Sequence, residues 1–176
     1  MNLYQKHYYD VVQRDMILSE NVPSVFKLPG LQKVVLCVVK NNPDENEVVS
    51  LLTGLKIIVG CKPYVIRKKA IEYKSSSNRG PVGVGLTLRR TVMSNFLYRF
   101  SLKVLTSSGR FQGLTAPKHN SQYTFVLRDM FSFRELIPLL PFIEDLGSLQ
   151  CEFHFTTRTR GEMIVMANGL QLPLCP

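Results

Sequence analysis

Four cysteines and three histidines among 176 residues leave little material for metal or redox chemistry. Cys37, Cys61, Cys151 and Cys175 show no C-x-x-C spacing, and His7, His119 and His154 stand singly. A structural zinc site therefore has no support in the sequence, and no metal or other cofactor is expected. Nothing points to an oxidising compartment, so free, mostly buried thiols are expected. Long apolar runs are missing as well. The longest, Val34 to Val39, falls far short of the ~20 residues a membrane helix needs. Tyr4, Gln5, Lys6, His7 and Asp10 leave no room for the apolar centre of a secretory signal. Neither a transmembrane nor a secreted chain is expected.

Catalytic signals are equally sparse. Gly80-Pro81-Val82-Gly83-Val84-Gly85 superficially resembles a phosphate-cradling loop, but it lacks the G-K-[ST] ending. It also precedes an alternating strand, whereas a dinucleotide fingerprint must open a helix. Asp44, Glu45 and Glu162 lie at helix starts, where capping explains them. Asp15, Asp129, Glu144 and Asp145 show no spacing that implies a carboxylate pair, and no Ser or Cys occupies a nucleophile elbow. His154 falls on the polar face of its strand, as a surface or RNA-facing histidine would. The reading is no enzyme.

What the chain does have is positive charge, with 22 basic against 13 acidic residues and a net charge of +9. Between Lys62 and Arg90, eight basic residues meet only Glu72, so this segment carries +7 of that total. The remaining 14 basic and 12 acidic side chains contribute only +2. A concentrated positive field attracts a polyanion.

Apolar residues make up 45% of the chain and charged residues 20%, a globular balance, and the length suits one domain over 1–176. Asn42-Pro43-Asp44-Glu45 predicts a helix start, with Asn42 as N-cap and Glu45 closing a capping box. Val48, Val49, Leu51, Leu52, Leu55, Ile58 and Val59 form its apolar stripe, and Gly60 ends it. A second helix is predicted from Thr91, with Met93, Phe96, Leu97, Phe100 and Val104 on one face. A third starts at the capping box Thr159 to Glu162 and ends at Asn168-Gly169. Residues 1–20, with Tyr8, Val11, Val12 and Met16, suggest a peripheral helix.

Between the helices the period is two. Val82, Val84, Leu86 and Leu88 oppose Gly83, Gly85, Thr87 and Arg89. Tyr123, Phe125 and Leu127 repeat the pattern, as do Leu149, Cys151, Phe153 and Phe155. Lys33 to Val39 and Lys62 to Tyr73 supply two more strands. One apolar face per strand describes an α+β fold, an antiparallel sheet covered by helices on one face. Ser75 to Pro81 is the clearest loop, at the tip of a long basic hairpin over 62–90. Its Lys and Arg can neutralise phosphates, and its Ser, Thr and Asn can bond 2′-hydroxyls. Tyr64 and Tyr73 either stack on unpaired bases or pack on the sheet, and packing is the commoner fate. Gly83 and Gly85, on the open face, permit a close approach of either another strand or an RNA backbone.

These residues carry a resemblance. Gly60-Cys61-Lys62-Pro63 with Tyr64 to Ala70, then Pro81-Val82-Gly83, then Leu86-Thr87-Leu88-Arg89-Arg90, resembles the signature of the large-subunit ribosomal protein L five family. That signature runs G-Q-K-P, a basic strand, a flexible loop, P-[IV]-G and V-T-L-R. Ser24 to Pro29, Met93 to Arg99, Phe111 to Leu114 and Phe153 to Thr157 extend the match, in order, along nearly the whole chain.

The resemblance implies a non-catalytic component of the central protuberance that binds large-subunit ribosomal RNA. It implies RNA contacts through Lys33, Lys62, Arg67, Lys68, Lys69, Thr87, Arg89 and Arg90. The loop Lys74, Ser75, Ser76, Ser77, Asn78 and Arg79 is expected near peptidyl-site transfer RNA. A bridge to small-subunit ribosomal protein thirteen is expected through Arg110, Gln112, Lys118 and His119, with other central-protuberance proteins as neighbours.

The chain departs from the family at Cys37-Val38-Val39, where an Asn and glycines are usual, and at Cys61, where Gln is usual. Thr87 alone of that RNA-facing group is kept. The readings for that face are therefore 5S ribosomal RNA, a degenerate or substitute RNA, or attachment through the large ribosomal RNA alone. The turn after Lys118 is also short, with Asn120-Ser121-Gln122 before Tyr123. Such drift points to an organelle, with a mitochondrial ribosome favoured over a plastid or bacterial one. The alternative is a non-ribosomal RNA- or DNA-binding module using the same hairpin.

Overall fold

Apolar alternation becomes five strands: β1 (Leu31–Val39), β2 (Tyr64–Arg67), β3 (Pro81–Leu88), β4 (Gln122–Leu127) and β5 (Leu149–Phe155). They form one antiparallel sheet in the order β2-β3-β1-β5-β4, and with the helices this is an α+β fold. The computed structural model describes residues 3–20, 24–40, 43–67, 80–106, 113–141 and 146–175. In β1 the buried residues are Val34, Leu36 and Val38; in β5 they are Leu149, Cys151, Phe153 and Phe155. The residues between them are half-buried or exposed, so each strand turns one face to the core. Among the described residues no helix is long and apolar enough to cross a membrane.

The chain divides into two compact units. The first comprises Met1–Val34, Leu88–Phe125 and Glu152–Pro176. In it the helices α1 (Leu3–His7) and α2 (Gln13–Glu20) flank a π-helical turn, Tyr8–Val12. Helix α4 (Arg90–Arg99) continues into a second π-helical stretch, Phe100–Leu105, and α5 (Arg160–Gly169) follows β5. The π stretch turns Phe100, Ser101, Val104 and Leu105 to the interior. Phe100 packs against Phe96, Phe125 and Phe153 with ring centroids 5.6, 5.8 and 6.0 Å away. The N-terminal segment is tied to the end of α5. Tyr4 donates its hydroxyl proton to the Leu170 carbonyl at 2.7 Å, and His7 Nε2 donates to the Gly169 carbonyl at 3.0 Å.

The second unit comprises Val35–Thr87 and Val126–Cys151, and contains α3 (Glu45–Val59). That helix begins three residues after the predicted N-cap Asn42, which lies outside the described residues. Asp44 is the N-cap, and the Glu47 carboxylate accepts its backbone N–H at 3.1 Å. Both Asn42–Glu45 and Asp44–Glu47 have capping-box spacing, and the Asp44–Glu47 box forms. The buried stripe is narrower than expected: Val48, Leu51, Leu55 and Ile58 are inside, while Val49 is 59% exposed. Gly54 lets the helix approach Leu146. Gly60 ends it in the left-handed conformation.

Helix α4 starts at Arg90, one residue before the predicted Thr91. The capping box of α5 forms as predicted, Thr159 Oγ1 accepting from the Glu162 amide at 3.2 Å. Two 3-10 segments, Met130–Ser132 and Arg134–Leu139, have no counterpart in the sequence reading. Asp129 caps the first by accepting from the Phe131 amide at 2.8 Å.

Candidate nucleic-acid interface

In the second unit, β2 and β3 are the two arms of the basic segment. They pair antiparallel with Tyr64 opposite Gly85, Val65 opposite Val84, Ile66 opposite Gly83 and Arg67 opposite Pro81, and the register slips between Ile66 and Arg67. Lys62, Tyr64, Arg67 and Thr87 are exposed. Lys62 lies two residues before β2 and Thr87 two residues past Gly85 on β3.

The glycines of β3 do not lie on an open face. Gly83 and Gly85 are both buried. A Cβ at Gly83 would overlap the Val38 carbonyl oxygen, so here β3 comes hard against the β1 backbone. A Cβ at Gly85 would fall 2.9 Å from Tyr64 Cζ and 3.0 Å from its Cε2, because the tyrosine ring covers that glycine. Sheet packing, not an RNA backbone, accounts for both glycines. Tyr64 is nevertheless 50% exposed.

Cys37 and Cys61, where the family resemblance breaks, are half-buried, and Thr87 beyond them is open. None of the four cysteines is in a disulfide, and they are not mostly buried as expected: Cys151 is buried, Cys37 and Cys61 are half-buried, and Cys175 is exposed. Burial, with a smaller contribution from Cys37, pushes the Cys151 thiol far above its ordinary pKa.

In the first unit, Lys33 is half-buried on β1, and Arg89 and Arg90 are exposed. Arg89 is the extended N-cap of α4, and Arg90 follows with φ 52°. Arg90 borders a cavity of about 180 Å³ with Tyr4, Tyr8, Tyr9, Met93 and Leu170. Lys118 and His119 project from the short turn before β4. That turn is anchored where the Thr157 hydroxyl donates to the Asn120 carbonyl and the Phe155 amide donates to the Ser121 carbonyl at 2.7 Å. His154 is half-buried, its Nε2 lying 3.7 Å from Glu152 Oε2.

Lys68, Lys69, Tyr73, the loop residues Lys74 to Arg79, Arg110 and Gln112 lie outside the described residues. Among the described residues no group of three or more His, Cys, Asp or Glu could hold a metal ion. The sequence alone leaves open whether Tyr64 packs or stacks. Only the cross-strand register, which no local pattern encodes, matches it to Gly85.

No family model matches the chain. Individual relatives do. The chain is 26% identical to the "Large ribosomal subunit protein uL5m" of Reclinomonas americana, over 99% of this chain and 98% of that protein. It is 28% identical to the "Large ribosomal subunit protein uL5" of Polynucleobacter necessarius, over 97% and 96%. It is 30% identical to uL5 of Thermosipho melanesiensis over 139 residues, 76% of each chain.

Proposed function

This chain belongs to the uL5 family of large ribosomal subunit proteins, structural constituents of the ribosome and not enzymes, and from that premise we propose that it binds ribosomal RNA in the central protuberance of a mitochondrial large subunit. The observation that carries the reading is end-to-end similarity to the Reclinomonas americana uL5m, 99% of one chain against 98% of the other. The charge supports it: +7 of the net +9 lies between Lys62 and Arg90, where Lys62 and Arg67 are open to a polyanion.

In this reading the 1–176 chain acts as one domain. Lys33, Lys62, Arg67, Lys68, Lys69, Arg89 and Arg90 contact RNA phosphates, and Thr87 bonds a sugar or phosphate oxygen. Lys74 to Arg79 reach peptidyl-site transfer RNA. Arg110, Gln112, Lys118 and His119 form the bridge to small-subunit ribosomal protein thirteen. A thiol has one weak donor where a glutamine or asparagine offers two donors and an acceptor, so Cys37 and Cys61 cannot reproduce an amide contact. The face around Thr87 therefore holds 5S ribosomal RNA through fewer bonds, or a substitute RNA.

Crosslinking in cells, followed by sequencing of the bound RNA, tests this. Reads concentrated in a central-protuberance helix of a mitochondrial large ribosomal RNA are expected, and 5S reads, present or absent, decide between the two RNAs. Reads spread over messenger RNAs with no ribosomal peak would overturn the reading in favour of a non-ribosomal RNA-binding module.

A further inference from the structure

Resting on that RNA-binding reading, we propose that Tyr64 is a stacking platform for one unpaired base of the bound RNA. The ring is held in place before any RNA arrives. It lies against Gly85, its cross-strand partner, so closely that a Cβ there would be 2.9 Å from Cζ and 3.0 Å from the hydroxyl oxygen. Only glycine leaves that space, and the ring covers backbone that would otherwise meet water. One side of the tyrosine is thus used by the sheet, yet half of the residue stays open to solvent. An aromatic that already leans on the sheet has less rotamer freedom left to lose on stacking than a fully solvated one.

The surroundings are those of a nucleotide site and not of a protein contact. Two residues before Tyr64 stands exposed Lys62, and two residues after Gly85 stands exposed Thr87. Thr87 shares the face of Gly85 because side chains alternate along a strand, and Lys62 is on the chain that leads into Tyr64. Arg67, three positions along β2 from Tyr64, is exposed on the strand's other face. A base on the ring would leave its ribose and phosphates near the Thr87 hydroxyl and the Lys62 ammonium. A paired base offers no free ring face, so the platform selects a bulged or single-stranded nucleotide.

The chain contains no tryptophan, which makes Tyr64→Trp a unique fluorescent reporter. Its emission should be quenched by a short single-stranded oligoadenylate and little changed by a blunt RNA duplex of the same length. Tyr64→Leu should weaken oligoadenylate binding roughly ten-fold, the worth of one stacked base. Tyr64→Phe, which keeps the ring, should stay within about two-fold. Because no phosphate-binding cation is removed, Tyr64→Leu should leave the salt slope unchanged. The Lys62→Gln, Arg67→Gln double variant should lower that slope. If the slope responds to the double variant but the Tyr64→Trp emission is unquenched and Tyr64→Leu binds as the parent does, RNA binding stands and the platform falls. If the double variant keeps the parent's slope, the phosphate reading itself falls and the platform with it.

Discussion

Gly83 and Val38 meet backbone to backbone, so close that a methyl group at position 83 would overlap the Val38 carbonyl oxygen. Two residues along the same strand, the neighbour of Gly85 is a side chain, the ring of Tyr64. A backbone carbonyl in a sheet cannot move aside, but the outer end of a half-exposed ring can give by the few tenths of an ångström needed without leaving the glycine.

Gly83→Ala should therefore cost about 1–3 kcal/mol, the usual range for overpacking. Gly85→Ala should cost less than Gly83→Ala, the ring absorbing the change. Urea unfolding midpoints of the two variants check the order, and equal losses would contradict the packing described.

Alkaline stability should depend on Tyr4. Burial holds its phenol far above the ordinary value of about 10. Below that pH both folded and unfolded chains are protonated, and the contribution of Tyr4 is fully present. Above it the unfolded chain loses the proton while the folded chain keeps it, so stability falls as pH rises. Tyr4→Phe removes the bond to the Leu170 carbonyl and should cost about 1 kcal/mol at neutral pH. The gap between parent and variant should close above about pH 10. Unfolding measured at neutral and at alkaline pH reads this directly, and a gap independent of pH would be the contrary result.

RNA affinity should respond to salt through the basic arm. Replacing Arg67, Lys68 and Lys69 together by Ala should flatten the plot of log affinity against log salt by about 0.7–0.9 units for each phosphate no longer neutralised. Filter binding across a salt series measures it. A slope equal to the parent's would remove these residues from the interface.

Thiol chemistry should separate the four cysteines. Cys175 is exposed and should react first with a maleimide in the native state, Cys37 and Cys61 more slowly. Cys151, buried and held as the neutral thiol, should react only on unfolding. Mass spectrometry of timed labelling gives the order.

Much of this protein is legible in the residues alone, and the reason is range. The α+β class, the strand alternation in β5, the Gly60 stop and the Thr159–Glu162 cap all rest on residues no more than a few positions apart, where propensity and period operate. Charge is likewise a linear property, so the basic segment and its attraction for a polyanion follow without a fold. The start of α3 is ambiguous in sequence because Asn42–Glu45 and Asp44–Glu47 overlap with equal capping-box spacing. The π-helical turns at Tyr8–Val12 and Phe100–Leu105 leave no local signal, because an apolar run fits a π or an α turn equally well.

What belongs to the tertiary structure alone is pairing between distant residues. Gly83 and Gly85 read as an open glycine-rich face, and become a buried seam once β1 and β2 lie on either side of β3. Tyr64 reads as one aromatic among several, and becomes a fixed, half-open ring once its register partner proves to be a glycine. Register is set by the summed burial of whole strands, which no window along one strand contains.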